Sequence, residues 1–147
     1  MRAFDALSFW NEPDFRGAMG WYRAVANGRL PAKFRLCASL PAGVALAAPE
    51  AELWGALEAG TETFLALRRR VRDGQALAEG RPRPSLLDLV AELGRRMLAH
   101  CNFCRWDCGV DRRRGEKLGA CKLGAETRVS SYFHHGGEEL VYRGTHG

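Results

Sequence analysis

Apolar residues recur at three- and four-residue spacing along two long stretches of the chain, and that period predicts helices. Between residues 49 and 73, Leu53, Leu57, Phe64, Leu67 and Val71 fall on one face. Pro49 stands at the start, Glu50 and Glu52 suit the positive end, and Arg68, Arg69, Arg70 and Arg72 suit the negative end. Asp73-Gly74 ends the pattern. A second helix is predicted from Ser85, with Asp88 three residues on in capping-box position and Leu86, Leu89 or Val90, Leu93 and Met97 as its buried stripe. A third begins at Pro13, runs through Phe15, Met19, Tyr22 and Ala26, and closes at Asn27-Gly28.

Period-two patterns are shorter. Lys33 to Ser39, bracketed by Pro31 and Pro41, reads as a short strand or extended arm. Arg128 to Phe133 and Glu138 to Tyr142 both alternate and are joined by His134-His135-Gly136-Gly137, which predicts a β-hairpin. Glu79 to Pro84 is a stiff polar linker. The expected fold class is therefore α+β: a mainly helical N-terminal region over 1–98, then a cysteine-rich loop and a C-terminal hairpin over 99–147.

With 147 residues, 46% hydrophobic and 27% charged, the chain can bury a core, and composition excludes wholesale disorder. The longest apolar stretch, Gly43 to Pro49, falls far short of the roughly 20 residues that cross a bilayer. Met1 to Phe15 carries Asp5, Glu12 and Asp14 and no secretion-type apolar segment, so a cytoplasmic protein without a membrane partner is expected. The net charge is only +5. Its two basic runs, Arg68 to Arg70 and Arg112 to Arg114, read as solvated faces, and neither calls for a nucleic-acid partner.

The cysteines change the picture. Four of the five, Cys101, Cys104, Cys108 and Cys121, stand in the spacing C-x2-C-x3-C-x12-C. Disulfides are disfavoured in a reducing compartment, so a tight thiol cluster points to metal. A two-residue gap lets two sulfurs turn back on one ion, and Gly109, Gly115 and Gly119 give the loop backbone freedom. Four thiolates suit a structural zinc ion or an iron–sulfur cluster, and the spacing does not separate the two. Cys37 reads as a small core residue, and His100, His134 and His135 are not counted as ligands. The residues by themselves leave a different class open: a free-standing zinc module that binds protein or nucleic acid, or a small iron–sulfur electron carrier.

The run Cys101-Asn-Phe-Cys104-Arg-Trp-Asp-Cys108-Gly-Val-Asp-Arg112, followed by Gly115-Glu116, Gly119-x-Cys121 and Gly137-Glu138-Glu139, resembles the cysteine-rich lead-in of radical SAM proteins similar to pyruvate formate-lyase activating enzymes. The resemblance covers about residues 100–147, and Gly144 to Gly147 matches the turn before that family's cluster strand. It implies an N-terminal portion of a longer protein: a partial (β/α) barrel that carries a [4Fe–4S] cluster and S-adenosylmethionine. The missing barrel portion or a protein substrate would be its partner. Two departures stand out. Arg105-Trp106 replaces the family's Pro-Arg pair, and the catalytic Cys-x3-Cys-x2-Cys is absent, since Cys101, Cys104 and Cys108 carry the gaps in reverse order. No catalytic residue is assigned; Cys101, Cys104, Cys108 and Cys121 are the expected ligands of an accessory centre.

Overall fold

A computed structural model describes residues 13–129. Contacts divide the chain into two compact units, one holding the residues up to Ala32 and the other spanning Lys33–Val129.

In the first unit, helix α1 spans Pro13–Ala26. Gly28, at φ 69°, makes the left-handed turn that ends it, and the Arg29 and Leu30 amides fold back onto the Ala24 carbonyl. The Trp21 indole N–H donates to the Pro31 carbonyl at 3.2 Å, which ties the exit segment to the helix.

The second unit contains α2 (Lys33–Ala38), α3 (Glu50–Arg72) and α4 (Leu86–Met97), each in contact with the other two. Ala42, Leu53, Leu86, Leu89 and Leu93 form its buried cluster, with Cys37, Leu40, Leu57 and Phe64 packed around it. The expected stripes of α3 and α4 thus meet one another, although Val90 faces outward. The helices cross closely at Gly60: a Cβ built there would lie 2.6 Å from a Leu86 methyl.

Local chemistry explains how α4 starts. The Ser85 hydroxyl accepts from the Asp88 amide, and the Asp88 carboxylate accepts from the Ser85 amide, so two otherwise orphaned donors are satisfied. The capping residue is also pinned from outside: the Leu86 amide donates to Leu40 O at 2.8 Å and the Ala42 amide to Pro84 O at 3.0 Å. Arg96, near the other end of α4, donates to the Ala48 and Leu46 carbonyls at 2.9 and 2.7 Å. The segment between α2 and α3 is thereby clamped along the length of α4, which fixes the point where α4 releases the chain into Cys101.

Two expectations are corrected. The described residues are mainly helical and contain no strand, so the α+β class does not hold for them. The stretch Lys33 to Ser39, read as extended, is helix α2 for all but its last residue. An alternating pattern would have put Phe34 and Leu36 on one face; instead Leu36 is fully buried and Phe34 is 61% exposed. Cys37 and Leu40 join the core at helical spacing, and contact with α3 and α4 decides an apolar run too short to declare its own period. The hairpin expected over 128–142 lies outside the described residues except for Arg128 and Val129, which are not in a strand. Among the described residues no helix is long and apolar enough to cross a membrane.

Candidate thiol site

Past α4 the chain makes a loop held by backbone hydrogen bonds rather than by apolar mass. The Cys101 amide donates to Val110 O at 3.1 Å and the Gly109 amide returns to Cys101 O at 3.0 Å, which lays 108–110 beside 101. The Arg112 amide reaches Leu98 O at 2.8 Å and anchors the loop to the end of α4. Gly109 turns the chain at φ 60°, a conformation that disfavours any side chain there. Lys122, just after Cys121, takes φ 55° despite its side chain, a local strain that surrounding contacts must hold.

Those turns converge on Arg112. Its side chain is buried, and its Nε donates to Cys101 Sγ at 2.8 Å. Its Nη2 lies 3.9 Å from Cys108 Sγ, and its Nη1 donates to the Leu123 carbonyl. Gly119 forms one wall of this nest: a Cβ there would stand 2.5 Å from Cys108 Sγ and 2.9 Å from Nη2 of Arg112.

The backbone adds two donors. The Phe103 and Leu123 amides, each two residues beyond a cysteine, favour the thiolates of Cys101 and Cys121. Hydrogen bonds from Arg112 and then from Phe103 hold the Cys101 thiol below its ordinary pKa, because both favour the thiolate. For Cys121 the Leu123 amide is the larger cause and Arg112 the lesser. The thiolates in turn hold the Arg112 pKa above its ordinary value. Cys37 shows the opposite behaviour: burial pushes its thiol up, as expected for an inert core residue.

Of the four expected ligands, the structure brings Cys101 and Cys108 to the Arg112 guanidinium and leaves Cys104 and Cys121 exposed. Among the described residues, no three Cys, His, Asp or Glu side chains are grouped so as to hold a metal ion in this arrangement. The donor chemistry nevertheless suits a thiolate-bound centre: all five cysteines are free thiols, and the surroundings of Cys101 and Cys121 favour the thiolate that a metal needs. His100 is exposed and bonds only locally, to Ala99 O at 3.3 Å.

Sequence reasoning missed Arg112 by counting it with Arg113 and Arg114 as one solvated run. Arg113 and Arg114 do pair outward with Asp111, at 3.4 and 3.5 Å, while Arg112 turns inward. The run is therefore not a three-arginine cationic surface. The available signal was its position: a cation four residues past Cys108 in a loop with few large apolar residues has thiols within reach.

Compared with family models, with curated proteins and with solved structures, the chain matches none of them.

Proposed function

We propose that residues 101–121 form a thiolate metal-binding loop in which Cys101, Cys104, Cys108 and Cys121 hold one zinc ion or one iron–sulfur cluster. The observation that carries this reading is the placement of Cys101 Sγ and Cys108 Sγ at 2.8 and 3.9 Å from two nitrogens of the buried Arg112, in the loop that also holds Cys104 and Cys121. Cys104 sits on the exposed arm of the loop, three residues from Cys101, and completes the set by a local swing of that arm. Such a centre contributes on the order of 10 kcal/mol to folding of a loop that lacks a hydrophobic core of its own.

The resemblance of this loop to the lead-in of radical SAM activating enzymes supports a wider reading. In it the chain is the N-terminal portion of a cytoplasmic enzyme of that kind, and the cluster that cleaves S-adenosylmethionine belongs to a downstream barrel. Its partners would be that barrel portion and a protein substrate. The loop then serves as an accessory, structural centre.

Anaerobic purification followed by elemental analysis and a visible spectrum tests the loop. One zinc per colourless chain supports a structural zinc site, and a brown chain with iron and sulfide supports a cluster. A chain that retains neither when both are supplied overturns the proposal. The wider reading stands on the coding sequence after Gly147: a Cys-x3-Cys-x2-Cys there supports it, and an immediate stop codon with no such triad downstream refutes it.

A further inference from the structure

Arg112 is a buried cation without a carboxylate partner among the described residues. Ion pairs in this chain form elsewhere, at Arg95 and Arg96 with Glu92 and at Arg113 and Arg114 with Asp111. An arginine that is 6% exposed as a whole residue needs negative charge beside it, since an unpaired buried charge is strongly destabilising. The groups placed around it are Cys101 Sγ, Cys108 Sγ and the Leu123 carbonyl, the last being two residues beyond Cys121.

We infer that Arg112 is the positioning residue of the thiolate centre: its guanidinium draws the 121–123 segment onto the 101–110 turn and neutralises the sulfurs once they hold a metal. The inference rests on the metal-loop reading and deepens it. A divalent ion bound by four thiolates carries a net charge of minus two, and the loop that would enclose it buries Cys101. Two arrangements can stabilise that charge, water or a fixed cation. Arg112 supplies the cation with a fork of donors already aimed at separate sulfurs, and its Nη1 bond to Leu123 O holds the distal segment in place. Gly119 leaves room for this fork, because any side chain there meets both Cys108 Sγ and Nη2.

The role differs from that of a ligand, since a guanidinium donates hydrogen bonds and offers no lone pair to a metal. It also differs from that of a mere placeholder that a metal must expel. These alternatives give opposite signs. Partners that orient and neutralise metal ligands typically change affinity about 10–100-fold when removed. Replacement of Arg112 by Gln should therefore weaken metal binding by about that factor, whereas removal of a placeholder would tighten it.

The experiment titrates the full chain, stripped of metal and kept reduced, with cobalt(II) as the probe, and follows thiolate-to-cobalt charge-transfer absorption. The wild type, Arg112→Gln and Arg112→Lys are compared. Expected are about 10–100-fold weaker binding by Arg112→Gln and partial recovery by Arg112→Lys, which restores the charge without the fork. Amide hydrogen exchange of metal-free wild type and Arg112→Gln at Cys101, Gly109 and Lys122 provides a second readout, with faster exchange expected in the variant. Equal or tighter cobalt binding by Arg112→Gln overturns the inference and leaves the metal loop standing. Absence of cobalt binding by the wild type refutes the metal loop itself, and exchange then decides separately whether Arg112 assembles the turn. Unchanged exchange in that case refutes the inference too.

Discussion

Gly119→Ala tests the site's geometry most simply, because it adds one methyl group and removes nothing. Gly119 is buried and its φ is not in the left-handed region, so alanine meets no backbone penalty there. Restricting the unfolded chain would by itself stabilise the variant by about 0.4–1 kcal/mol. Against this stands the contact cost. The new Cβ would lie 2.5 Å from Cys108 Sγ, 2.9 Å from Arg112 Nη2 and 3.3 Å from Val110 Cγ2, so all three neighbours have to shift. Overpacking of this kind costs about 1–3 kcal/mol. The loop is expected to lose about 1–2 kcal/mol net, which corresponds to roughly a 5–30-fold change in its opening equilibrium. Amide hydrogen exchange of the metal-free chain reads this directly. The Cys101, Gly109 and Arg112 amides, each bonded to a carbonyl of the loop or of the end of α4, should exchange faster by about that factor while the amides of α3 stay unchanged. Unaltered protection at those three amides would refute the packing of Cys108 and Arg112 against Gly119, and with it the approach of Cys108 to the guanidinium.

Other perturbations separate the helical scaffold from the loop. Gly55→Ala, with nothing within 4 Å of the new Cβ, should stabilise α3 by about 1 kcal/mol in denaturant unfolding, whereas Gly60→Ala should lose that gain to its clash with the buried Leu86. Ser85→Ala should cost about 1 kcal/mol by the same assay, since it removes one side of the capping box. In acid, the hydrogen bonds from Arg95 and Arg96 hold the Glu92 pKa down to about 2 from its ordinary 4.5. A carboxylate lowered in this way stabilises the fold above its ordinary value, and that contribution fades as pH falls from 4.5 toward 2. The helical signal of Glu92→Gln should therefore vary less with pH across that window than that of the wild type, and equal slopes would count against the contact. Cys104→Ser should leave the exchange of the metal-free loop as it is, because that side chain is exposed, yet reduce bound metal; retention of full metal content would remove Cys104 from the ligand set.

The parts of this fold that could be read from sequence are those whose partners are close along the chain. The Ser85–Asp88 capping box needs only two residues three positions apart, and both bonds form. The long α3 declares itself by period and end charges over 23 residues. Helix α2 does not, because six residues satisfy either period, and its conformation is decided by contact with α3 and α4, far away in sequence. The same distinction governs the site. The four cysteines were legible in the sequence only as a spacing pattern. That Arg112 would sit beside Cys101 and Cys108 was not, since its partners arrive from residues 101, 108 and 123 only after the loop closes. Charge alone gave Arg112, Arg113 and Arg114 one role; burial gives them two.

X-ray absorption at the edge of whichever metal the full chain retains after reduced, anaerobic preparation tests the central claim most directly, because it counts sulfur neighbours around the ion. Four sulfur scatterers at about 2.3 Å are expected, for zinc one from each of Cys101, Cys104, Cys108 and Cys121 and for iron a shell of cysteine sulfur and bridging sulfide. A shell of nitrogen or oxygen at about 2.0–2.1 Å with no sulfur, or a chain that holds no metal at all, would contradict it.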